Sequence, residues 1–131
     1  MVSAERSDLE MAGLRFQIGI FEEALVQNDE DTEALRFLSH GYAVTGRMED
    51  GLAIDRRLVV LLPRDERVRY NLACSCALTG RSEEALTTLA RAVDLGFRDA
   101  KLIDGDTDLD AIREDPRFDE IMGRIKTEDD A

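Results

Sequence analysis

The sequence repeats itself at a step of 34. Sliding residues 32–65 onto 66–99 superimposes Leu38 on Leu72, Ala43 on Ala77 and Thr45-Gly46-Arg47 on Thr79-Gly80-Arg81. In the same frame Glu49 meets Glu83, Leu52 meets Leu86, and Arg57, Val59 and Leu61 meet Arg91, Val93 and Leu95. A unit of this length cannot bury its apolar face alone, so it stacks on a neighbour. The period predicts helix–turn–helix pairs piled side by side, and such a pile offers a surface for holding another polypeptide.

A chain of 131 residues makes one domain and buries roughly two-thirds of its unfolded surface. Apolar residues make up 44% and aromatics only 5%, which suits small-residue packing between helices. The net charge of −12 is uneven. Residues 104–131 hold 11 acids and 4 bases, leaving −5 for the rest. That balance argues against nucleic acid, whose phosphates need a basic face, and against an anionic membrane surface. The sequence holds no apolar run of about 18 residues and no basic-then-apolar start, so the expected location is cytoplasmic. Cys74 and Cys76 stand two apart on one predicted helix, a poor geometry for a disulfide.

Within the first clear unit, helix A is expected over about Thr32–Thr45, with Leu35, Leu38, Tyr42 and Ala43 at helical spacing. Gly46 stops it in a left-handed conformation that a Cβ would oppose. Helix B follows over about Met48–Leu62, with Leu52, Leu58, Val59 and Leu62 apolar, and Pro63 ends it. The next unit repeats the plan: Glu66–Thr79 with Leu72, Ala73, Cys76 and Ala77 inward, then Gly80. Ser82 is expected as the N-cap of the last helix B, with Ala85 and Leu86 opening its packed face, and Gly96 closes it.

These units resemble the tetratricopeptide repeat. That family favours a small residue at position 8 of 34, here Ser39 and Ala73, and glycine near 15, here Gly46 and Gly80. Position 20 holds Gly51 and Ala85, and position 32 holds Pro63 and Phe97. Leu35 and Arg69 depart from the usual aromatic at position 4, and Asp55 stands at position 24. The resemblance implies an all-α fold: a short right-handed α-solenoid over 32–65 and 66–99, closed by a C-terminal capping helix. Residues 1–31 fit a degenerate first repeat, with Ala4–Ala12 a shortened helix A and 15–28 a helix B carrying Phe21, Ala24 and Leu25. Residues 100–126 form the cap. Pro116 begins a helix behind the N-cap Asp115, and Phe118, Ile121, Met122 and Ile125 share one face. Leu109 and Ile112 form a smaller apolar pair before it. The acidic tail 127–131 is expected to fray.

Little in the chain points to chemistry. His40 is the single histidine and has no partner at a triad spacing. Asp104, Asp106, Asp108 and Asp110 alternate as in a calcium loop. The glycine and bidentate glutamate such a loop needs are replaced by Leu109 and Asp115. The run therefore reads as a solvated, helix-capping turn. No metal, cofactor or enzymatic activity is expected.

The resemblance further implies a concave groove lined by the A helices. It maps onto Glu33, Arg36, Phe37, His40, Ala43 and Val44 in one unit, and onto Arg67, Tyr70, Asn71, Cys74, Ala77 and Leu78 in the next. Arginine and aromatic residues are the types that dominate peptide contacts, and guanidinium forks grip carboxylates. Family members that clamp a C-terminal carboxylate use five positions, held here by Arg36, His40, Asn71, Lys101 and Gly105. Asn71 and Lys101 match by type and Arg36 by charge; His40 and Gly105 differ. The expectation is a non-enzymatic module that binds a peptide or C-terminal segment of another protein, acidic in character, through Arg36, Phe37, His40, Arg67, Tyr70, Asn71, Cys74 and Lys101. The alternative is a self-associating scaffold unit, a homodimer with the groove occluded.

Overall fold

The computed structural model describes residues 7–130, with side chains through Ile125, and every element among them is helical. In order they are α1 (Asp8–Gln27), α2 (Thr32–Val44), α3 (Met48–Leu61), α4 (Glu66–Leu78), α5 (Ser82–Asp94), α6 (Ala100–Gly105), a 3-10 segment (Thr107–Ile112) and α7 (Pro116–Asp130). Helices adjacent in sequence pack on one another from α1 to α5, giving a helical-repeat solenoid.

The period of 34 is visible at the level of single hydrogen bonds. Asp31, Asp65 and Asp99 N-cap α2, α4 and α6, their carboxylates accepting from Ala34, from Arg67 and Val68, and from Leu102. At the other end of the A helices, Gly46 (φ 77°) and Gly80 (φ 80°) turn the chain left-handed. Arg47 N–H then reaches Tyr42 C=O and Arg81 N–H reaches Cys76 C=O, each at 2.8 Å. This satisfies carbonyls that a helix end leaves open.

Two apolar clusters form the core. The first joins Ile18 of α1 to Leu35, Leu38 and Tyr42 of α2, Ile54 and Leu58 of α3, and Val68 of α4. The second runs from α4 and α5 into the C-terminal segment, where Ile103, Leu109, Ile112, Phe118, Ile121, Met122 and Ile125 are all buried. The expected cap is thus packed over α5, with the predicted face inward. Salt bridges reinforce its outer edge: Arg117 reaches Glu83 (2.7 Å) and Arg124 reaches Asp94 (3.1 Å).

Several expectations need correction. Residues 8–27 form one unbroken helix, so no turn separates a short helix A from a helix B at the N-terminus. Ser7 N-caps it. Ala4–Arg6 lie outside the described residues. Ser82 is not an N-cap: Arg81 holds that place, without a side-chain cap, because the chain leaves Gly80 one residue earlier. Glu83 and Glu84 in the first turn supply the negative charge that a helix start favours. Ala43 is exposed rather than inward. The backbone of α7 stays helical to Asp130, so the tail expected to fray from residue 127 continues the helix; Ala131 lies outside the described residues.

Candidate functional site: a groove between two A helices and the end segment

A groove of about 240 Å³ opens between α2 and α4. α2 contributes Arg36, Ser39, His40 and Ala43; α4 contributes Tyr70, Asn71, Cys74, Ser75 and Leu78. Spacings of three and four residues put each set on one helical face. Asp106 and Asp108 close one end from the 3-10 segment and its cap.

Of the eight residues expected in the groove, Arg36, His40, Tyr70, Asn71 and Cys74 line it. Phe37, Arg67 and Lys101 do not. Phe37 turns toward α1 and stacks on Phe21, ring centroids 4.3 Å apart. Arg67 lies 5.7 Å from the Phe97 ring. Lys101 stands exposed on α6, where the end segment departs from the repeat plan. Each departure has one cause: a neighbouring element offers the side chain an apolar or aromatic partner, or carries it off the A-helix face.

Three carboxylates enter the groove from elements the repeat frame does not assign to it. Asp55 reaches up from α3 and is 2% exposed. Its carboxylate accepts from Ser39 Oγ on α2 and from Ser75 Oγ on α4, both at 2.5 Å. One buried acid thus ties the two A helices together under the groove floor. Burial pushes its pKa up against the opposing pull of the two hydroxyls.

Asp106 does comparable work at the end wall. Its Oδ2 accepts from Tyr70 Oη at 2.5 Å and lies 3.7 Å from Cys74 Sγ, while Oδ1 accepts the N–H of Asp108 at 3.0 Å. Tyr70 also stacks on Phe97 at 4.3 Å, with the rings nearly parallel. The phenol and the Cys74 thiol are both pushed well up, by burial first and then by the electrostatics of this wall. Burial likewise raises Cys76 to about 11. Both cysteines are free and buried, so neither is a ready nucleophile.

Among the described residues, Cys74 Sγ and carboxylate oxygens of Asp106 and Asp108 lie within 4.8 Å of one another, close enough to hold a metal ion. Asp106 is already engaged by Tyr70, Cys74 and the Asp108 amide, so the trio is accounted for as a hydrogen-bonded wall. The rest of the acidic run does not join it: Asp110 pairs with Arg113 (3.4 Å), and Asp104 is exposed.

The polar side chains on the open rim differ in freedom. Arg36 is bound to Asp65 across the helix junction (2.9 Å), a contact that steadies its guanidinium at the rim. His40 and Asn71 are exposed there. The open rim therefore presents a guanidinium paired with Asp65, an imidazole and an amide, while the floor and end wall carry carboxylates.

A larger cleft, about 640 Å³, opens between α5 and α7. Its Arg117 and Arg124 are the same residues that fasten the cap to Glu83 and Asp94 of α5. No helix among the described residues is long and apolar enough to cross a membrane. No protein-family model matches the chain, and no curated protein matches it significantly.

Proposed function

We propose that this chain is a non-enzymatic protein-binding module of the tetratricopeptide-repeat kind, and that its α2–α4 groove receives an extended segment of a partner protein. The observation that carries this reading is the built character of the groove. Its floor is tied by Asp55 and its end wall by Asp106, while Arg36, His40 and Asn71 remain on the rim. Fixed walls with exposed donors suit recognition, since a preorganised surface loses less entropy on binding.

The distribution of charge narrows the partner. An acidic side chain or a terminal carboxylate suits the rim donors of Arg36, His40 and Asn71. The carboxylates of Asp106 and Asp108 favour a donor group, an amide or a cation, at the other end. The segment is therefore mixed in charge rather than uniformly acidic. Two buried thiols suit the reducing cytoplasm.

The test is a random peptide library selected on the immobilised protein, followed by titration of the enriched peptides. Arg36→Ala with Asn71→Ala is expected to weaken the selected peptides at least tenfold, about 1.4 kcal/mol. Peptides that bind the double variant as tightly as the parent would place recognition elsewhere.

A further inference from the structure

α1 carries two apolar stripes on opposite faces. Leu14, Ile18, Phe21 and Leu25 turn inward, and Ile18 sits so close to Gly41 of α2 that a Cβ there would meet its side chain at 3.0 Å. The other stripe is Leu9, Gly13, Phe16 and Ile20. Leu9 is 83% exposed, Phe16 71% and Ile20 52%. Among the described residues nothing covers this second face. Its spacing of four, three and four is the 3.5-residue period of a helix–helix seam, not the scatter of single surface apolar residues.

We infer that this face pairs with the same face of a second copy, α1 against α1, antiparallel. The stripe is self-complementary in that sense of pairing. Placing Leu9 opposite Ile20 of the other copy also places Phe16 opposite Gly13, twice by symmetry. Space exists to receive the ring, because a Cβ built at Gly13 meets no atom within 4 Å. A two-fold axis requires this kind of reciprocal match. Parallel pairing would set Asp8 and Glu10 beside their own counterparts and align the two helix dipoles. Antiparallel pairing avoids both.

Area sets the strength. In this register residues 8–21 of each α1 face one another, about 21 Å of helix, so the seam stays below the roughly 1,000 Å² of a stable specific interface. The pair is therefore weak and reversible, forming as concentration rises and parting on dilution. α1 supplies no groove residue, so this pairing and the groove reading stand or fall separately.

Sedimentation velocity on the full chain tests it. The mass is expected to rise from 14.7 kDa toward twice that value with concentration. Phe16→Glu is expected to hold the chain monomeric with an unchanged melting temperature, since the side chain it replaces is exposed. Register is read by cysteine cross-linking. Leu9→Cys mixed with Ile20→Cys is expected to give an oxidised dimer, and Leu9→Cys alone none. A monomer at every concentration, a dimer that survives Phe16→Glu, or cross-linking of Leu9→Cys to itself would each overturn the inference.

Discussion

Asp55 shows how much a single side chain determines here. A carboxylate at 2% exposure costs desolvation energy, which two serine hydroxyls offset only in part, and its pKa rises as a result. For a carboxyl raised on folding, the folded chain keeps its proton where the unfolded chain has lost it. Its contribution to stability is thus greatest below the ordinary value of 3.8 and declines as pH climbs through the raised one. Asn at this position stays uncharged and still bonds both hydroxyls, each of which can donate or accept. Asp55→Asn is therefore expected to match or exceed the parent in melting temperature at pH 7, with the advantage shrinking in acid. A variant that loses ground at pH 7 would show that the charge itself is needed. The sequence marked Asp55 only as a departure from the repeat pattern. What it could not display was the geometry: Ser39 and Ser75 lie 16 and 20 residues away and converge on it only once α2 and α4 stand side by side. Asp106 was hidden in the same way, since its partner Tyr70 is 36 residues distant.

At the scale of elements, capping explains why the boundaries of the two central units could be read in advance and others could not. Gly46 and Gly80 sit where positive φ is required, a local demand that the residue type itself displays. Asp31, Asp65 and Asp99 cap the helix starts at the same 34-residue step, a signal the sequence reading above did not use. Asp65 has the most to do: it accepts two backbone N–H groups and the Arg36 guanidinium, which hold its carboxyl below the usual range. Asp65→Ala is expected to lower stability by about 1–2 kcal/mol in urea denaturation. It should also loosen Arg36 at the groove rim. A change under a few tenths of a kcal/mol would mean that water replaces the cap without penalty. α1 was misread because its two stripes blur the single-face pattern that marks a helix in a hairpin. Gly13 lies inside this helix, where a glycine is tolerated at a cost of about 1 kcal/mol.

Across the whole molecule, the second apolar cluster runs without interruption from the repeats into the cap. Phe118 is 2% exposed within it, with the Arg113 guanidinium 5.2 Å from its ring. Phe118→Ala is expected to cost about 3–5 kcal/mol and to lower the melting temperature of the entire chain. An unaltered transition would separate the cap from the fold. The all-helical stack itself was legible, because a 34-residue echo leaves few other architectures open. The end wall of the groove was not, because it is made where the echo stops.

That stopping point fixes a length. With Asp106 and Asp108 standing at one end, only α2 and α4 are available to underlie a bound strand. Two helices side by side span about 20 Å, and an extended backbone advances about 3.3 Å per residue. For the proposed ligand the groove is a ruler: it would measure a stretch of about six residues, and a longer segment would have to leave over the rim.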